Sequence, residues 1–208
     1  MDYLPFDTVG LHTDGIDRYY NTYTQLKARF DIQPTGHIDF RLQDLEAFKH
    51  YTTINVRGSF VIKDAKTDGY ILFVEVHYQT ATGIGHHTFT QHQEYQTWAL
   101  AYLKHDFGRA LIRKETLADK IIELVHPVEI DFKEDKAFSD TFFVVVNDHS
   151  KAVAGIDRNF RNAVMDVRGD DFVIEILNHT LIIGDRKPVE PERAIHLAEF
   201  VSRLCEMC

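Results

Sequence analysis

Four of the chain's 12 histidines, His77, His86, His87 and His92, fall in one short stretch together with Glu75 and Glu94. Neutral imidazoles beside a carboxylate are ordinary ligands for zinc or a similar divalent ion, the equipment of a metal-dependent hydrolase or a metal sensor. Spacing narrows the set. Neighbours on a strand point to opposite faces, so His86 and His87 serve one site only if the chain bends between them. His86 and His92 share a face but lie about 20 Å apart along an extended chain. Directly opposed residues of a hairpin approach to about 5 Å. That favours His77 facing His87 or Phe89, and makes His77, His87 and Glu75 the metal candidates. The plainer reading is an exposed hairpin that carries polar side chains.

Other motifs are weaker. Thr82-Gly83-Ile84-Gly85 has the glycine spacing of a phosphate loop, but such loops lead into a helix whose N-terminus meets the anion. Here a strand follows, so the glycines read as a hairpin tip. Asp131, Glu134, Asp135, Asp140 and Asp148 form an acidic run without a defined separation across a cleft. Asp148 and Ser150 fit helix capping better than catalysis. Cys205 and Cys208 are the only cysteines and close the chain. Their spacing lacks the βα context of a redox pair and the further ligands of a zinc site, so the expectation is two thiols on one helical face. No nucleophile elbow, P-loop, zincin motif or dinucleotide fingerprint occurs, and no catalytic residue is assigned.

The chain of 208 residues carries 23 basic against 32 acidic side chains, a net charge of −9. Residues 1–104 hold 12 acids and 9 bases, and residues 105–208 hold 20 and 14. Neither half has the basic cluster that phosphate neutralisation needs, which argues against nucleic acid as a partner. No apolar run nears the ~18 residues of a membrane span, and the first residues lack a basic and apolar leader. The expectation is a soluble, cytoplasmic protein with a sizeable core.

Stepwise along the chain, residues 16–30 place Ile16, Tyr19, Tyr20, Tyr23, Leu26 and Phe30 at helical spacing, with Asp14 as a candidate cap. Residues 42–51 predict a second short helix. The period then changes to two. Residues 55–63 and 70–79 predict strands, the second with one apolar and one mixed face. Residues 86–103 predict a long returning strand, and 107–113 another. Residues 116–124 predict a helix. From Val128 the order is an extended piece, a turn over 135–140, an apolar strand at 141–146, a helix at 151–164, a tight hairpin of 172–177 with 180–184, and a final helix through Met207. This predicts an α+β fold: an antiparallel sheet with a long β-hairpin, packed by helices, ending in a β-α-β-β-α unit. A helical N-terminal segment, 1–52, precedes an α+β domain, 53–208, unless the two form one continuous domain.

The stretch Val128-Glu-Ile-Asp-Phe-Lys-Glu-Asp-Lys-Ala-Phe-Ser-Asp-Thr-Phe-Phe-Val-Val-Val-Asn-Asp148 resembles a family of uncharacterised bacterial proteins with an "IDF…FS…F.V…D" signature. Members follow it with a helix, a hairpin and a C-terminal helix. They carry an upstream hairpin with a Thr-Gly-x-Gly tip and a Gln-Thr pair, here Thr82-Gly83-Ile84-Gly85 and Gln96-Thr97. The resemblance runs from Gly58 to Leu204. It implies the fold but no activity, because the family has none assigned. Relatives are often membrane-anchored with a Lys/Arg-rich tip, whereas this chain has no span and carries His86 and His87 there.

The hairpin also carries Phe89, Tyr95, Trp98 and Tyr102. Aromatic side chains exposed on a projection suit a protein interface, and the same four would equally fill a core. With catalytic motifs missing, the expectation is a non-enzymatic domain that binds another protein, with no cofactor. Two readings stand beside it: a metal-binding protein or hydrolase built on the histidines, and a small-ligand or lipid-binding domain with helices across a curved sheet around a cavity.

Overall fold

The computed structural model describes residues 4–63, 67–82, 88–114 and 127–207. Its frame is one antiparallel sheet. The strands are β1 (Ile32–Pro34), β2 (Thr53–Ile62), β3 (Gly69–Thr82), β4 (Thr88–Tyr102), β5 (Arg109–Lys114), β6 (Val128–Glu129), β7 (Phe142–Val146), β8 (Val173–Leu177) and β9 (Thr180–Gly184). They lie in the order β1-β2-β3-β4-β9-β8-β5-β7-β6. Among the described residues five helices accompany them: α1 (Thr13–Arg29), α2 (Lys136–Ser139), α3 (His149–Gly155), α4 (Arg158–Asp166) and α5 (Pro191–Met207). This is the expected α+β fold, long hairpin included. The expected helix at 116–124 and the glycine tip at 83–85 lie outside the described residues.

α5 lies against β3 and β4, with α1 and α4 packed beside it. Its predicted stripe of Ala194, Leu197, Ala198, Val201 and Leu204 is buried throughout. α1 contributes Tyr19 and Leu26, while Tyr20, expected on the same stripe, is 53% exposed. Tyr19 stacks on Phe73 of β3 at 4.6 Å and 8°. The core under α1 and α5 runs unbroken from Phe6 to Cys205, and β1 pairs with β2. One core thus holds residues from both sides of residue 52. Cys205 is a buried core side chain; Cys208 lies outside the described residues.

Three local expectations need correction. β3 is covered on both faces rather than one: Leu72, Val74 and Val76 are fully buried, and so are Ile71 and Phe73 opposite them. The second cover is the segment 40–51, whose Phe40, Leu42, Leu45, Phe48 and Tyr51 pack on Leu72, Trp98, Leu100 and Ile182. That segment is not a continuous helix but two single 3-10 turns, Leu42–Asp44 and Glu46–Phe48. Leu45 is extended between them, and the backbone N–H groups of Glu46 and Ala47 each donate at 3.0 Å to the carboxylate of Glu175 on β8. A long-range acceptor has replaced the local helical one. The helix expected at 151–164 breaks in two at Ile156. Asp157 caps α4 by accepting from Phe160 N at 2.8 Å, and Arg161 donates to Ile156 O at 2.9 Å. Asp148 caps α3 as expected. Asp14 does not cap α1; it sits in the first turn and pairs with Arg18 at 2.9 Å.

Trp98 sits opposite Gly184 in the pairing of β4 with β9. A Cβ on Gly184 would lie 2.5 Å from the indole ring, so only glycine lets the ring lie flat on the sheet. Gly184→Ala is expected to cost about 1–3 kcal/mol through overpacking. Urea unfolding followed by the emission of the single tryptophan measures it.

Candidate functional site

Glu75 points to the α1 side of β3 and is 1% exposed. An ionised carboxylate out of water must be met by donors. Asn55 Nδ2 donates to Oε2 at 3.0 Å and Arg57 Nε at 2.8 Å, both from β2. Gln93 of β4 donates to Oε1. Arg57 continues outward to Asp7 Oδ2 at 2.7 Å, and Asp7 N donates to Arg57 O at 2.6 Å. The pairing of β2 with β3 shifts by one between Val56 and Gly58, so the Arg57 position is a bulge. Bulges re-aim a side chain, and this one turns the guanidinium toward Glu75. Burial pushes the Glu75 carboxyl up, but hydrogen bonds from Asn55, Arg57 and Gln93 together with the Arg57 charge outweigh it, leaving the group below its ordinary value of 4.5.

His77 Nε2 lies 3.2 Å from Glu75 Oε1, so two of the three metal candidates do meet. They meet as neighbours on one strand face, not across the hairpin. The residue opposite His77 is Gln93, and Phe89 is opposite Ala81. The expected pairing of His77 with Phe89 is therefore corrected by the register of β3 and β4, which sets Thr82 opposite Thr88. His86 and His87 lie outside the described residues. Among the described residues no three His, Cys, Asp or Glu side chains gather to hold a metal ion. Both Glu75 oxygens already accept from Arg57, Asn55 and Gln93. His92 is on the other face, stacked on Tyr78 at 4.8 Å and bonded to Thr80 Oγ1 at 2.8 Å.

The face opposite Glu75 carries a second polar chain. Tyr78 donates its hydroxyl to Glu94 Oε1 at 2.7 Å. Gln96 Nε2 reaches Glu94 Oε2 at 3.1 Å and Tyr51 at 2.9 Å, and Trp98 Nε1 donates to Gln96 Oε1 at 3.0 Å. The bond to Glu94 pushes the Tyr78 phenol up to about 12, since the carboxylate favours the protonated phenol. Sequence reasoning missed this relay. Its one visible signal was polar residues at alternate positions of a strand otherwise apolar on that face.

The four aromatic candidates separate. Trp98 is 1% exposed and is core, so it does not reach a partner. Tyr95 is half-buried against Tyr19, at 5.6 Å. Phe89 is 62% and Tyr102 43% exposed, but thirteen residues of extended β4 put them about 40 Å apart, too far for one small patch.

Two surface features remain. β2 ends opposite His77, and β9 covers β4 only from Trp98. Five further pairs of β3 and β4, Tyr78↔His92 to Thr82↔Thr88, continue as a two-stranded arm with no third strand among the described residues. The second feature is an open groove of about 1570 Å³ along the outer edge of β2, between residues 4–8 and 36–43. The space between helices and sheet is filled by apolar side chains.

Glu75→Gln should destabilise the protein by about 2 kcal/mol at pH 7, because the half-buried Arg57 guanidinium loses one of its two carboxylate partners. A depressed carboxyl stabilises above the unfolded pKa, and that contribution is lost as pH falls through the folded pKa. The gap between parent and variant should therefore close in acid, below the ordinary value of 4.5. Urea unfolding at pH 7 and pH 3 tests this, and a gap of equal size at both would contradict the charge account.

Compared with known proteins, the chain matches no family model, no curated protein and no solved structure.

Proposed function

We propose that this chain is a non-enzymatic interaction domain, and that the β3–β4 arm is what a partner protein touches. The observation that carries the reading is the arm itself: five residue pairs project beyond the sheet, and Phe89 stands 62% exposed on them. Residues 76–93 hold no Asp, Glu, Lys or Arg, in a chain where charged residues are 26% of the total. Interface cores are depleted of charge and enriched in aromatics, and free strand edges are templates for pairing. Two-stranded ribbons alone are marginal in water, so the arm gains from being covered.

The buried ionisable groups support a structural role for themselves. Glu75 is bound by Arg57, Asn55 and Gln93, Glu175 by two backbone N–H groups, and Asp185 by Arg193 at 3.0 Å and Lys187 N at 3.1 Å. Membership of the bacterial family suggested by the IDF signature, and a cytosolic location, belong to this proposal as well. No described helix is long and apolar enough to cross a membrane.

A photo-cross-linking residue placed at Phe89 in the full chain should trap one discrete protein partner in cells of its source, and the same residue at Tyr102 should not. Phe89→Ser should weaken that partner's binding at least tenfold, in line with loss of an aromatic anchor worth about 2 kcal/mol. Unfolding by urea should be unchanged. Equal trapping from both positions, or none from Phe89, contradicts the proposal.

A further inference from the structure

β1 covers β2 only from Phe60 to Ile62. Beyond it one bond, Thr35 N to Ser59 O at 3.0 Å, continues the pairing. Gly36, with φ +75, then turns the chain away. From the other side the segment 4–8 reaches the same edge at Arg57 O. Between these two contacts and the strand's start, Thr53 to Val56 present about 13 Å of strand edge, at ~3.4 Å per residue, with no strand against it among the described residues. This edge forms the floor of the open groove.

The groove's chemistry is specific. Ile38, Ile54 and Val56 line it, with Val56 at 36% exposed. Both of its cations are already neutralised: Arg57 lies between Glu75 and Asp7, and Arg41 pairs with Asp44 at 2.7 Å. Among the described residues Asp39 has no such cation and accepts only a backbone N–H, that of Arg41, at 2.9 Å. The wall therefore holds an uncompensated negative charge beside an apolar floor and an unpaired edge.

We propose that the β2 edge from Thr53 to Val56 docks an extended, basic segment of another polypeptide, which adds to the sheet as a strand and sets a Lys or Arg toward Asp39. Main-chain hydrogen bonds supply affinity in such strand addition, and alternate side chains supply specificity. The complementary charge speeds encounter and selects against acidic segments. This site rests on the β2 edge alone and is independent of the arm.

The probe is a nine-residue peptide alternating valine and threonine with one central lysine, titrated into the isotope-labelled full chain. Amide shifts should move at residues 53–59. A peptide with lysine replaced by glutamate should bind at least fivefold more weakly, and Asp39→Asn should erase most of that preference. Alternate N-methylation of the peptide should abolish binding, and Val56→Lys should reduce it at least tenfold while leaving Trp98 emission unchanged. Should Val56→Lys fail to fold, the methylated peptide still decides. Equal binding of the methylated peptide, shifts confined to other strands, or no binding at millimolar peptide would overturn the proposal. So would a dimer of the parent that Val56→Lys dissolves, since a second copy would then fill the edge.

Discussion

A carboxylate taken out of water has to be answered by donors, and Glu75 on β3 is answered from the strands on both sides of it at once. Asn55 and Arg57 come from β2 and Gln93 from β4. The knot sits close to where three strands narrow to two, two pairs before β2 ends at Thr53 opposite His77. It therefore fixes the root of the arm. Through Arg57 it also holds Asp7 and the segment 4–8 against the sheet. Such a buried ionic centre adds little net stability against an apolar equivalent, but breaking one side of it is costly. It ties β2, β3 and β4 together at the root of the arm and, through Asp7, one wall of the groove.

The opposite face is settled by a second buried carboxylate. Burial holds Glu175 above the ordinary glutamate range, although two backbone donors and Arg109 pull it back. Arg109 also reaches Glu46 at 2.7 Å and Asp44 O at 2.7 Å. These bonds pin the two 3-10 turns, Phe48 included, over Trp98 and Leu100, and so cover that face of the sheet. The same segment, running back through residues 36–43, becomes the outer wall of the groove. Covering the core and shaping the surface are thus one act of packing. What the packing leaves over is a strand edge and an arm, both features that other chains can extend.

Much of this was legible in the residues. The alternation of Leu72, Val74 and Val76 and the apolar run at 142–146 marked strands, Asn178-His179 marked a hairpin turn, and the Ala194 to Leu204 stripe marked α5. Those signals are local, because period and turn chemistry are local. The misses have several causes. The 3-10 turns depend on an acceptor in β8, more than a hundred residues away. The break at Ile156 depends on Asp157 competing as a cap within a pattern that still reads as helical. The hairpin register decided what His77 faces, and a long uncharged turn sequence does not fix register. Glu75 stood out as one of few charges in its stretch, but its partner Arg57 is marked only by a bulge that no periodicity announces. Trp98 carried no sign of which side of its strand would be closed.

The central claim is that the molecule's activity is contact, made by an arm whose root is locked. Amide hydrogen exchange of the full chain, read by mass spectrometry in buffer and in soluble extract of its source, tests this most directly. The account predicts added protection concentrated in residues 76–82 and 88–94, with α1, α5 and the centre of the sheet unchanged. Arm amides that exchange equally fast in both, with protection gained elsewhere or nowhere, would contradict it.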